Sequence, residues 1–371
     1  MKIFKKFVAV LGMISILLSL TACHKKDEIA LSVDGVDITS ALYMNALIEC
    51  DLEARQRIDE ENESSTGDID YFAQKLDNMT YTDYVKSKAI DRCKEYAFYQ
   101  KQADKKVISL TDEEKSEAEY YATTYWSYYG YNTLFEPNGV SLETYKKANV
   151  YTYYSNKYFM YLYDEGGSKE VSKDDIKKTM NDKYILVYAL SETYDEDATD
   201  EEKSTLKNKY QAYADRLAKG EDFAVIYEEI NGKEDDTTGI DVSELETGSE
   251  SEKSDGETTE NLKPKDDKAT IIGDEDTNYS SSDYDTVDEM KVGEVKLIEN
   301  EDKTGFTVYK KLDINSDEYY LTQLKDEILY TLKQKEFDTL ISSETDLLKA
   351  EENKYAINRF KVKKIVYPEG A

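Results

Sequence analysis

The sequence predicts an α+β protein. A mainly helical domain, formed by the N- and C-terminal segments, is interrupted by a small α+β domain. Three observations carry that prediction. The 371 residues include 3 Pro and 16 Gly, with 34% charged residues. An average composition of ~5% would supply roughly 18 Pro, so long amphipathic helices are favoured over a many-turned sandwich. Strand-like sequence is limited to one N-terminal pair, to stretches between 184 and 312, and to a short stretch near the C-terminus. Apolar residues make up 39%, and 33 Tyr carry much of that share. That is enough for a core, though one with many polar edges.

The elements follow in order. Residues 1–22 read as a signal peptide. Lys2, Lys5 and Lys6 form its basic start, and Phe7 to Leu20 are apolar. This stretch is short of the ~20 residues needed to span a bilayer. Leu20-Thr21-Ala22-Cys23 closes it. Ile29-Ala30-Leu31-Ser32-Val33 and Val36-Asp37-Ile38 alternate around Asp34-Gly35, a hairpin signal. Thr39 or Ser40 can cap a helix running to about Ile58. A second helix is expected from Tyr81 to Val107. A third begins at Thr111, with acids in its first turn.

That third helix opens a run in which 13 of the 44 residues from Tyr120 to Tyr163 are Tyr, joined by Trp126, Phe135 and Phe159. Two helices meeting near Gly130 to Ser141 are expected. Such a stripe forms either a packed helical core or a partly open aromatic groove. Tyr suits adaptable recognition, with flat apolar area, a polar tip and two χ angles. If the run is open, Tyr120, Tyr121, Tyr125, Trp126, Tyr128 and Tyr129 form its contact surface. Gly166-Gly167 marks a boundary. Beyond it come a helix after Ser172, a strand from Tyr184 to Leu190, a helix from Asp200 to Lys219 and a short helix opened by Asp222.

Residues 231–268 hold 13 acids, 5 Lys, 4 aliphatics and no aromatic. They cannot bury enough surface to offset the entropy of ordering, and read as a disordered acidic insertion. Strands follow at Ala269 to Ile272, near Val295 and at Thr304 to Leu312. One amphipathic helix then runs from Asp317 to about Leu348. Ile357 to Val366 is expected to return as a strand.

Composition excludes several functions. His24 is the single His, beside the N-terminus, so no Ser-His-Asp, Cys-His or multi-His metal site can exist elsewhere. No metal and no cofactor are implied. A net charge of −31 opposes nucleic-acid binding, which needs clustered Lys and Arg against phosphate. Cys50 and Cys93 can form a disulfide in an oxidising compartment, or remain two buried thiols. The sequence is silent on oligomeric state.

Leu20-Thr21-Ala22-Cys23 resembles the lipobox of bacterial lipoproteins. By that resemblance Cys23 is the mature N-terminus and bears a diacylglycerol. Acyl chains contribute about 0.8 kcal/mol per buried CH₂, and two chains anchor stably. The order of motifs resembles the PrsA/SurA-type foldases. Ile29 to Thr39 is similar to their N-terminal hairpin, with Asp34 where Asn is usual. Val171 to about Ile314 resembles a parvulin domain, through Lys219-Gly220-Glu221-Asp222-Phe223-Ala224, Met290-Lys291-Val292-Gly293-Glu294-Val295 and Gly305-Phe306-Thr307-Val308.

The resemblance implies a domain division: residues 23–170 as the N-terminal chaperone segment, 171–315 as the parvulin-like domain, and 316–371 as the helix completing the chaperone domain. It also implies a membrane-anchored extracytoplasmic chaperone whose partners are partly folded exported polypeptides. Active parvulins carry two His. Here the last-strand position is Thr307, and the first-strand position is Tyr184 or Tyr188, depending on register. An inactive parvulin-like domain is therefore expected. An active prolyl isomerase and a non-chaperone scaffold lipoprotein are the alternatives.

Overall fold

The computed structural model describes residues 28–62, 69–195, 197–232, 266, 268–276, 280–300 and 303–368. The signal segment, Cys23, His24 and residues 233–265 of the acidic stretch lie outside the described residues. The chain divides into two compact units, residues 1–170 with 333–371, and residues 171–332. One border lies between Glu170 and Val171. The other lies between Leu332 and Lys333, inside a helix. The architecture is α+β and mainly helical, with small antiparallel sheets.

In the first unit, strands β1 (Ile29–Val33) and β2 (Val36–Thr39) form the hairpin. Asp34 and Gly35 both take positive φ, the backbone a tight two-residue turn needs. Thr39 accepts a hydrogen bond from the Leu42 amide and caps α1 (Ser40–Glu61). Nearly every residue of α1 from Ser40 to Ile48 is buried, so this helix is the centre of the unit. A second hairpin, β3 (Lys75–Leu76) with β4 (Met79–Thr80), leads into α2 (Tyr81–Asp104). Then come α3 (Asp112–Ser127), the short α4 (Asn132–Phe135) and α5 (Leu142–Tyr163).

The second unit begins with α6 (Lys173–Lys183), capped by Ser172. It continues through β5 (Tyr184–Thr193), α7 (Asp200–Ala218), α8 (Phe223–Asn231), β6 (Thr270–Gly273), α9 (Ser281–Asp288), β7 (Val295–Glu299) and β8 (Gly305–Leu312). Its sheet has the order β6-β5-β8-β7, all antiparallel. One face packs Leu190 and Val308 against Tyr210, Leu217, Phe223 and Ile226 of α7 and α8. The other packs Ile185, Val187 and Tyr309 against Tyr284 and Val287 of α9, with Met290 beyond it.

Helix α10 (Glu318–Asp346) starts in the second unit and ends in the first. After it, β9 (Ala350–Glu352) pairs with β1, and α11 (Lys354–Ile357) follows. The returning strand is thus β9, not Ile357 to Val366. That stretch holds the end of α11 and a 3₁₀ turn at Val362–Lys364. A buried carboxylate ties the C-terminal segment down. Asp51 on α1 accepts from Tyr81 at 2.8 Å, from the Arg55 Nε at 2.9 Å and from the Tyr367 hydroxyl. The Arg55 guanidinium lies 4.5 Å from the Tyr71 ring centroid and 4.4 Å from that of Tyr367.

Cys50 and Cys93 are free buried thiols, not a disulfide. Burial pushes the Cys93 thiol well above its ordinary range, so it stays protonated and inert.

Candidate functional sites: an exposed tyrosine face and the sheet positions of Tyr184, Tyr188 and Thr307

Helix α3 shows why its aromatics separate into two sets. Thr111 and Glu114 form a reciprocal cap, and Asp112, Glu113 and Glu114 complement the helix N-terminus. Ala118, Ala122 and Trp126 recur every four residues and are buried. This stripe packs on α5. Tyr120, Tyr121 and Tyr125 point away from it, and Tyr128, Tyr129 and Tyr131 follow in the turn; all six are exposed, Tyr128 at 82%. They associate in two groups, Tyr120 with Tyr121, and Tyr125 and Tyr128 with Tyr129 and Tyr131. Ring centroids lie 5.6 Å apart for Tyr120 and Tyr121, 5.2 Å for Tyr125 and Tyr129, 5.1 Å for Tyr128 and Tyr129, and 5.8 Å for Tyr125 and Tyr131.

Trp126 does not belong to this surface. It is 5% exposed and packs near Tyr145 at 5.5 Å and Phe135 at 6.3 Å. Its i, i+4 relation to Ala118 and Ala122 places it on the inner stripe. Tyr131 was missed as a member of the exposed set, although it continues the same run.

Along α5 the balance reverses. Tyr145, Tyr151, Phe159 and Tyr163 are buried, and only Tyr161 is exposed. Phe159 packs on Phe337 of α10 at 5.2 Å, edge to face. Burial pushes the Tyr145 and Tyr151 hydroxyls up to about 12. The tyrosine-rich run is therefore core on α5 and surface on α3.

In the second unit the Lys219 to Ala224 motif is a helix junction. Gly220, at φ +90°, ends α7 in a conformation side chains resist. Asp222 Oδ1 accepts from the Ala224 amide at 3.0 Å and starts α8. Phe223 then stacks on Tyr188 with centroids 4.1 Å apart. The Tyr188 hydroxyl donates to Asp266.

The register settles how Thr307 stands to Tyr184 and Tyr188. Thr307 pairs with Ser191, and Tyr188 pairs with Lys310. Side chains alternate along a strand, so Tyr188 shares the α7–α8 face with Leu190 and Val308, while Thr307 shares the α9 face with Tyr309. Thr307 Oγ1 lies 2.9 Å from Ser191 Oγ and donates to Asn300 Oδ1 at 3.3 Å. Tyr184 sits four residues before Tyr188, about 13 Å along the strand. It packs beside Gly273, and burial, with Glu327 and Asp274 beside it, raises its hydroxyl above the ordinary phenol range. No two of Tyr184, Tyr188 and Thr307 are brought together. Ser191 and Asn300 are the polar partners that local reading missed.

Among the described residues, no group of three or more His, Cys, Asp or Glu could hold a metal ion, and no helix is long and apolar enough to cross a membrane. No family model and no curated protein matches the chain. Among solved structures the chain is similar to the foldase PrsA of Lactococcus lactis, at 12% identity and a TM-score of 0.37, over 89% of this chain and 97% of that one. It is similar to PrsA of Bacillus subtilis at 14% identity and a TM-score of 0.30, over 93% and 94% of the two chains. For the foldase PrsA of Streptococcus pneumoniae the values are 10% and 0.33, over 72% and 79%.

Proposed function

We propose that this chain is a membrane-anchored extracytoplasmic chaperone that holds partly folded exported polypeptides. The observation that carries the reading is the exposed face of Tyr120, Tyr121, Tyr125, Tyr128 and Tyr129. Contiguous exposed aromatic area is costly to leave in water unless it meets something. Phenol rings offer apolar contact to many sequences, and their hydroxyls remain hydrated between encounters. The order of motifs that resembles the PrsA/SurA-type foldases supports the same reading, as does the lipobox at Cys23.

The test is suppression of aggregation of a chemically unfolded client. The wild type should suppress it. A variant with all five tyrosines changed to Ala should keep its helical signal and lose most of the suppression. An unimpaired variant would overturn the assignment of the face. For the anchor, Cys23→Ala should move the protein out of the membrane fraction.

The parvulin-like unit is read as inactive. Prolyl isomerisation lowers a barrier of ~18–20 kcal/mol by binding a twisted amide more tightly than a planar one. The two positions where active parvulins carry His hold Thr307 and a Tyr, and Thr307 faces away from Tyr188. A proline-peptide assay should give the uncatalysed rate; turnover that Thr307→Ala abolishes would overturn this part.

A further inference from the structure

Between α1, α2 and α5 the first unit holds a cavity of about 220 Å³. It opens to solvent and has room for a small organic group rather than a single water. The floor is charged. Arg92 reaches Glu53 at 2.9 Å, Glu95 at 3.5 Å and Glu49 at 3.6 Å. One guanidinium thus serves three carboxylates, of which Glu49 and Glu95 line the cavity. Glu49 is also held by Asn45 at 2.8 Å and Tyr96 at 3.3 Å. It lies deep, yet 26% of its side chain is accessible, so it borders open space rather than sealed protein.

The walls are aromatic. Tyr96 and Tyr151 stack at 4.5 Å and 18°, and Tyr99 is fixed by Ser155 at 2.9 Å. Thr152, exposed and one turn from Asn156, marks the mouth.

We propose that this cavity binds a small organic cation: a guanidinium or primary ammonium group on a short aliphatic stem. An anion would meet the two lining carboxylates, Glu49 and Glu95, and a guanidinium already paired with both. A purely apolar ligand would strip them of water with no compensation. A cation supplies the missing positive charge and makes charge-assisted hydrogen bonds to carboxylate oxygens, while the tyrosine walls accept its stem and its charge. Burial holds the Glu49 and Glu95 carboxyls above their ordinary range, in keeping with carboxylates that one guanidinium leaves under-compensated. The cationic group could belong to a free amine or to a Lys or Arg side chain of a polypeptide. The inference stands independently of the exposed tyrosine face.

Calorimetric titration of the full chain tests it, with n-butylguanidinium, n-butylammonium and the capped peptide Gly-Arg-Gly as probes. Acetate and glucose are the controls. A cationic probe should bind saturably at one site, and Glu95→Gln should weaken it at least fivefold. Thr152→Trp, at an exposed position, should block the mouth and abolish binding with the helical signal unchanged. It also serves alone if Glu95→Gln fails to fold. Peptide binding at least as tight as the free guanidinium assigns the site to polypeptide side chains; binding of the free cations only assigns it to small amines. No saturable binding by any cationic probe overturns the proposal. So does binding that neither variant weakens, or glucose binding in place of the cations.

Discussion

Helices α3 and α5 draw on the same tyrosine-rich stretch, yet α5 buries Tyr145, Tyr151 and Tyr163 while α3 leaves Tyr120, Tyr121 and Tyr125 in solvent. Residue type does not decide the difference. Neighbours do. Helix α5 packs against α1, α2 and α3, and Phe337 of α10 meets Phe159 and Tyr163. Helix α3 packs chiefly on α5, through a stripe of two alanines and one tryptophan. A stripe that narrow leaves more than half the helix circumference outside, and the sequence fills part of that outside with phenol rings.

The sharpest way to break the comparison is to remove one ring from each set. Phe159→Ala empties a fully buried site on α5 and should cost about 3–5 kcal/mol. Denaturant titration reads this directly. A loss under 1 kcal/mol would mean that the α5 cluster is not the core described. Trp126→Ala is next. It should behave like an α5 residue although it lies on α3, costing toward the lower end of the same range because Phe135 and Tyr145 can close partly over the gap. If Trp126→Ala left stability intact and impaired client holding instead, the residue would belong with the exposed tyrosines after all.

These contrasts also mark what was legible in advance. Thr39, Thr111, Ser172 and Asp222 start helices through hydrogen bonds to amides two or three residues away, so their signals are local. The Asp34-Gly35 turn is local too. The equivalent turn at Asp77 and Asn78, both at positive φ and flanked by Leu76 and Met79, was readable on the same grounds and was missed. Strand β9 was not readable: Ala350–Glu352 is short and mostly exposed, and becomes a strand only by pairing with β1. Thr307 teaches the same lesson at the second site. Its facing residue depends on register between β5 and β8, which no local pattern sets. The burial of Trp126 lay in plain sight in its spacing from Ala118 and Ala122, and the surrounding tyrosines obscured it.

A pH test sharpens the comparison further. Desolvation raises the Tyr145 and Tyr151 hydroxyls from 10.0 to about 12. A phenol whose folded pKa exceeds its unfolded value contributes stability that is fully present below about 10 and is lost as pH rises toward about 12. The protein should therefore lose stability across that window, and Tyr151→Phe should remove part of the alkaline loss. An unchanged pH dependence in Tyr151→Phe would count against a buried, protonated hydroxyl.

The smallest effect on stability is the most telling for function. Tyr128 is the most exposed ring of the α3 face and touches mainly Tyr129. Tyr128→Ala should change stability by no more than about 0.5 kcal/mol, the range for surface sites with no special role. A residue kept for the fold alone would then be silent in every assay. A residue that meets clients would be silent in denaturation and audible in aggregation kinetics, and Tyr128→Phe, which keeps the ring and removes the hydroxyl, should restore most of the holding. If Tyr128→Ala instead destabilised the protein by 2 kcal/mol or more, the ring would be a structural element, and the division between α3 and α5 would fail at its clearest point.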